Sequence, residues 1–117
     1  MQNAELKERT KRFAIDIIRL VEGLPTSRVA GVLGSQLLRS GTSVGANYRS
    51  ACRAKSRADF IAKMGVVEEE ADETGYWMEL LLETKVVSAE RVKSLRDESS
   101  ALTAIAVSSI KTARDNR

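Results

Sequence analysis

Four cations crowd one short stretch of this chain: Arg49, Arg53, Lys55 and Arg57 fall within ten residues. Cations set so close together suit phosphates, because neutralising a polyanion releases its counterions and makes affinity fall as salt rises. Tyr48 is the only aromatic residue beside them, so stacking on bases is poorly supplied. The same residues also suit a solubilising turn in which Arg39 and Arg49 pair with carboxylates of a later segment. Both readings stand at this level.

A second constellation is acidic: Glu68, Glu69, Glu70, Asp72 and Glu73. Carboxylates alone can hold magnesium or calcium. Consecutive residues of a helix point in different directions, however, and no ligand loop or histidine supports a closed site, so no metal and no cofactor is expected. Glu69, Glu70 and Glu73 share an arc that suits Gln36, Arg39 and Asn47. The expectation is a structural polar network in which those three side chains contact Glu70 or Glu73. The chain contains no histidine. That removes the commonest general base, the Ser-His and Cys-His nucleophile pairs and the Glu-x-x-His ligand pattern. Cys52 is the only cysteine; it lies beside Arg49 and Arg53, which could lower its pKa, but no base or second thiol accompanies it. No enzyme is expected.

Helices must carry these residues. Leu6, Thr10, Phe13, Ile17, Leu20 and Leu24 alternate by four and three, a helical stripe. Gly23-Leu24-Pro25-Thr26 breaks it, with Gly23 suited to the left-handed position and Thr26 or Ser27 to the next cap. A second helix over about 27–52 places Val29, Leu33, Leu37, Ser40, Val44, Asn47 and Ala51 on one face. Gly34, Gly41, Gly45 and, a little off centre, Gly31 lie on an adjacent face. Glycines cost roughly 1 kcal/mol each inside a helix, and so many on one side predict close approach of another backbone. Ser56 opens a third helix with a capping-box-like Ser-Arg-Ala-Asp. Its stripe is Phe60, Met64, Val67, Ala71, Thr74, Met78 and Leu81. Near its end the apolar positions overflow through Tyr76, Trp77 and Leu80 to Leu82, which predicts burial on more than one side and hence a subunit interface at Tyr76, Trp77 and Leu80. A fourth helix from Ser88 repeats Val92, Leu95, Ser99, Leu102, Ala106, Ser109 and Ala113 at heptad spacing. Four helices joined by short turns predict an all-α, antiparallel up-down four-helix bundle, a single domain over 1–117.

Aromatics are 4% of the chain and there is one proline, so the core must be aliphatic. Residues 1–60 carry eleven Lys/Arg against five Asp/Glu, and residues 61–117 eight against eleven. That asymmetry suggests either a polyanion-binding surface or attraction between halves or subunits. With no secretory signal and no apolar run of about 20 residues, a cytoplasmic protein with no membrane association is expected.

Leu24-Pro25, Gln36-Leu-Leu-Arg-Ser40, Ser43-Val-Gly-Ala-Asn47, Ser56 and Asp59-Phe60 together resemble the bacterial four helix bundle protein family, also called 23S ribosomal RNA intervening-sequence proteins. Glu70-Ala-Asp-Glu-Thr-Gly-Tyr-Trp-Met-Glu-Leu-Leu81 is similar to a run found in one branch of it. The resemblance covers nearly the whole chain from Phe13 onward. It implies an antiparallel four-helix bundle, assembly as a homopentamer, and no established catalytic activity. It also implies kinship with RNA- and reverse-transcriptase-binding accessories of retroelements, the accessory variability determinant proteins. One departure stands out. Relatives often carry Gly-Tyr-Ile after the third helix, where this chain has Lys85-Val86-Val87. The resulting expectation is a non-enzymatic homo-oligomer that binds structured RNA or a nucleoprotein partner through basic bundle ends. The alternative is a protein-protein interaction scaffold with no nucleic-acid role.

Overall fold

The computed structural model describes residues 3–116 and contains α1 (Asn3–Glu22), α2 (Arg28–Ala51), α3 (Arg57–Glu83) and α4 (Ala89–Asp115). Serine hydroxyls start three of them: Ser27 accepts from the Ala30 amide at 3.1 Å, Ser56 from Asp59 at 3.0 Å and Ser88 from Arg91 at 3.2 Å. Each cap satisfies one of the amides that an α-helix leaves without an internal partner.

Five residues connect each helix to the next. Five residues span at most about 17 Å, well short of the roughly 30 Å of α1, the shortest of the four helices, so consecutive helices must run antiparallel. The contacts agree. Down the α1–α2 seam, Gly34 faces Leu24, Gly41 faces Ile17 and Gly45 faces Thr10. Up the bundle, α4 returns along α3 and meets α1 at an Arg9–Glu98 fork of 2.7 and 2.8 Å. The result is a rod of 50 × 20 × 19 Å, the antiparallel four-helix bundle that the stripes predict.

The core is the sum of those stripes. Leu6, Thr10, Phe13, Ile17 and Leu20 are buried from α1, and Met64, Val67, Ala71, Thr74, Met78 and Leu81 from α3. The second helix is a correction. Its buried arc includes Ala30, Gly34, Gly41, Gly45 and Tyr48, whereas Val29 is 56% exposed and Asn47 lies at the edge. The centre shifts because α2 packs on two helices at once: the glycine side meets α1 and the Leu37–Ser40–Val44 side meets α3. A β-carbon on Gly41 would stand 2.8 Å from Ile17 Cγ2, and one on Gly45 3.4 Å from the Thr10 backbone carbonyl carbon. Those two glycines set the spacing of α1 and α2.

No described glycine has a positive φ, Gly23 included. The left-handed position falls instead on Lys85, φ 62°. The Val86 amide donates to the Leu81 carbonyl at 2.9 Å and the Lys85 amide to Leu82 at 3.0 Å, the paired bonds of a Schellman motif. The third helix therefore ends at Glu83 in the geometry a glycine would favour, with lysine carrying the strain. Among the described residues, no helix is long and apolar enough to cross a membrane.

Candidate nucleic-acid interface

The arginines of this bundle divide into two kinds. Arg39, on the outer edge of the α2–α3 seam, donates Nη1 to both oxygens of Glu70 at 3.2 and 3.1 Å and Nη2 to Glu73. The Glu70 hydrogen bond raises the guanidinium's pKa above its ordinary value. Gln36 Oε1 accepts from Arg39 Nε at 3.4 Å, and Trp77 Nε1 donates to Glu73 at 3.2 Å. Asn47 is the correction within the predicted network. Its Nδ2 donates to the Ser43 carbonyl of its own helix at 2.8 Å, because Asn47 lies eight residues, about 12 Å of helix, beyond Arg39, where Glu70 and Glu73 are held. Gln36 is half-buried and Arg39 exposed, so the network lies along the rim of the seam. Beneath it, the hydroxyls of Ser40 and Thr74, both fully buried, share a hydrogen bond of 3.0 Å.

Arg49, Arg53, Lys55 and Arg57 are different. All four are exposed, and none holds an ion pair among the described residues. Arg49 in particular does not reach a third-helix carboxylate, which removes the pairing that the sequence allowed for it. The turn that carries Arg53 and Lys55, between Arg49 at the end of α2 and Arg57 at the start of α3, is fixed by Asp59, whose carboxylate accepts from the Lys55 amide at 3.1 Å and from Lys63 Nζ at 3.0 Å. The Lys55 amide bond, then Lys63, hold that carboxyl below its usual pKa. Exposed guanidiniums thus stand on and beside an ordered turn.

Tyr48, the one aromatic near them in sequence, is only 5% exposed. Its hydroxyl donates to Asn3 Oδ1 at 3.2 Å, and burial followed by the neighbouring Cys52 raises its pKa. It is a core residue and offers no face to a base. Cys52 is half-buried and free.

Two cations that periodicity alone did not single out join this end of the molecule. Lys7 and Lys11, one turn apart on α1, line a groove with Arg49 of α2. Their i, i+4 spacing was visible in the sequence, but nothing there said which helix lay beside them. The acidic run does not gather as a metal site: Glu70 and Glu73 turn to Arg39, and no cluster of three or more potential metal-ligating side chains is found among the described residues.

At the opposite end of α3, Tyr76 is 51% exposed, with its ring 5.1 Å from that of Trp77 in an edge-to-face arrangement. Trp77 and Leu82 are half-buried, as is part of the ridge around them, while Met78 and Leu81 are in the core. The apolar overflow at Tyr76, Trp77 and Leu80 therefore leaves a ridge on the surface of the single chain.

The family model described as 23S rRNA-intervening sequence protein matches residues 2–108. A crystal structure of a protein with unknown function from the S23 ribosomal protein family of Bacteroides thetaiotaomicron VPI-5482 superposes with a TM-score of 0.87 at 40% identity, covering 95% of this chain and 99% of that one. No curated protein matches the chain.

Proposed function

The chain belongs to the 23S rRNA-intervening sequence protein family, and on that premise we propose that it is a non-enzymatic, self-associating scaffold that binds structured RNA, or a nucleoprotein containing it, through the basic end of the bundle. One observation carries the reading. Arg9 and Arg39 are consumed by carboxylates, while Arg49, Arg53, Lys55 and Arg57 are gathered, exposed, at the junction of α2 and α3 and hold no ion pair among the described residues. Four exposed cations within nine residues raise the local positive potential, which attracts a polyanion. With no exposed aromatic face among them, recognition would rest on phosphates and shape rather than on stacked bases.

Self-association belongs to the same proposal. The Tyr76–Trp77–Leu80 ridge would cover its apolar surface against another copy, and a ring of five, as the resemblance implies, would repeat the basic turn around the assembly. Weak single contacts would then add by multivalency. Light scattering that returned a monomer mass at micromolar concentration would remove this part. The exposed ridge also supports a second reading, a protein-protein interaction scaffold with no nucleic-acid role.

The deciding experiment titrates structured RNA against the wild type and the combined Arg49→Ala, Arg53→Ala, Lys55→Ala, Arg57→Ala variant across salt concentrations. Removing each cation that neutralises a phosphate should flatten the logarithmic salt slope by about one unit. Equal affinities and equal slopes would transfer the case to the protein-interaction reading.

A further inference from the structure

We infer that the groove between α1 and α2 seats the sugar-phosphate backbone of a single RNA strand, with Lys7, Lys11 and Arg49 as its phosphate contacts. The inference rests on the nucleic-acid reading and names the path of the strand. The groove has a volume of ≈ 630 Å³. Its floor includes Ala14, Gly45 and Ala46, side chains too small to fill it, and its rim carries the three cations against one carboxylate, Glu8. None of the three cations holds an ion pair among the described residues, and all three are exposed.

Geometry selects a strand. Lys7 and Lys11 are separated by four residues of helix, about 6 Å along the axis, a step comparable to that between successive phosphates. Arg49 on the facing helix leads one turn later to Arg53, so the cations continue from the groove into the turn. Helix axes in contact lie about 8–10 Å apart, and the valley above such a pair runs along the helices, the direction in which Lys7 and Lys11 are spaced like the phosphates of one strand. No aromatic residue lines it, so binding there is independent of base identity. The groove between α3 and α4 provides the contrast: Asp72, Glu79, Glu90 and Asp97 line it beside Lys93 and Arg96, and Lys93 is already bound to Asp97 at 3.0 Å. A polyanion is repelled there.

The test measures binding of a labelled uridine oligonucleotide, whose bases stack weakly, by the full chain. Three variants are compared with the wild type: Lys7→Ala/Lys11→Ala, Ala46→Leu, and Lys93→Ala/Arg96→Ala as the control groove. The first should weaken binding about tenfold near physiological salt and flatten the slope by about 1.4 units, 0.7 for each single-strand phosphate no longer neutralised. Ala46→Leu fills the groove without changing charge, so it should weaken binding about fivefold and leave the slope unchanged. The control should bind as the wild type does. Thermal melts of each variant separate these effects from loss of fold. If the wild type binds no RNA, structured or single-stranded, the underlying reading fails. If RNA binding responds to the turn residues but not to Lys7/Lys11 or Ala46, only the groove assignment falls. Weakening by the lysine variant but not by Ala46→Leu would mean a diffuse charged surface and would overturn seating in the groove. Displacement of the oligonucleotide by poly-glutamate at equal charge concentration would overturn the assignment to nucleic acid.

Discussion

The two seams that α2 makes with its neighbours are built on opposite principles. Against α1 the seam is steric. Gly41 lets Ile17 approach so closely that a β-carbon would collide, and at Gly45 one would press on Thr10 at 3.1 Å, while Lys7, Lys11 and Arg49 on its rim hold no ion pair among the described residues. Against α3 the seam is polar. Ser40 meets Thr74, and Arg39 is clamped by Glu70 and Glu73. The difference teaches where free charge comes from in a small bundle. A seam closed by glycines needs no ion pairs to hold it, so its rim cations remain available. A seam closed by side-chain bonds uses its charge internally.

The most damaging way to break this contrast is to fill the steric seam. Gly41→Leu places a branched side chain against Ile17, which is fully buried and has nowhere to move. We expect a loss of about 3 kcal/mol, overpacking outweighing the roughly 1 kcal/mol that a non-glycine residue gains in a helix interior. Chemical denaturation measures it, and a variant as stable as the wild type would show that the seam is not set by glycine.

The polar seam should yield less. Thr74→Val removes the hydroxyl that Ser40 faces across the seam and leaves that serine dependent on the Leu37 carbonyl, 3.3 Å away. The expected loss is about 1–2 kcal/mol. No loss under the same denaturation would mean that the hydroxyl pair adds nothing to the seam.

Gly31 sharpens the comparison with the opposite sign. It lies on the same helix, but a β-carbon there meets nothing within 4 Å. Gly31→Ala should therefore stabilise by about 1 kcal/mol, seen as a higher melting temperature. Destabilisation would show that position, not contact, governs the glycines of α2.

The smallest effect belongs to Arg39→Met. The clamp is exposed at the rim, so water and salt screen it. A slight fall in melting temperature is expected at low salt and none at high salt. A large, salt-insensitive fall would make the clamp a structural pillar and weaken the distinction between consumed and free arginines.

Much of this was legible in the sequence. Stripes at alternating three- and four-residue spacing predicted which residues of α1 and α3 are buried, because a helix surface maps directly onto sequence periodicity. Ser56 and Ser88 were legible as starts because a serine hydroxyl can satisfy an amide only a few residues ahead, while between Thr26 and Ser27 only the structure chose Ser27. The polar network was legible in part: Arg39 with Glu70 and Glu73, but not Asn47, whose amide found a carbonyl within its own helix. On α2 the apolar face was misjudged at Val29, which is exposed, while the glycine face was anticipated as a place of close approach and holds at Gly34, Gly41 and Gly45 but not at Gly31, where a β-carbon meets nothing.

The sequence by itself determined the number of helices, the serine caps that start α3 and α4 and most of the core, because capping and helical periodicity are set within a few residues, whereas the left-handed ends were not legible: Gly23 does not take one and Lys85 does. Only the tertiary structure decided which cations are free. Whether Arg49 meets a carboxylate, whether Tyr48 faces a base or the core, and whether Lys7 and Lys11 share a groove with Arg49 depend on which helix packs beside which and at what rotation. Those are relations between segments some 40 residues apart, set by the close approach at Gly41 and Gly45 that no local pattern could locate in space.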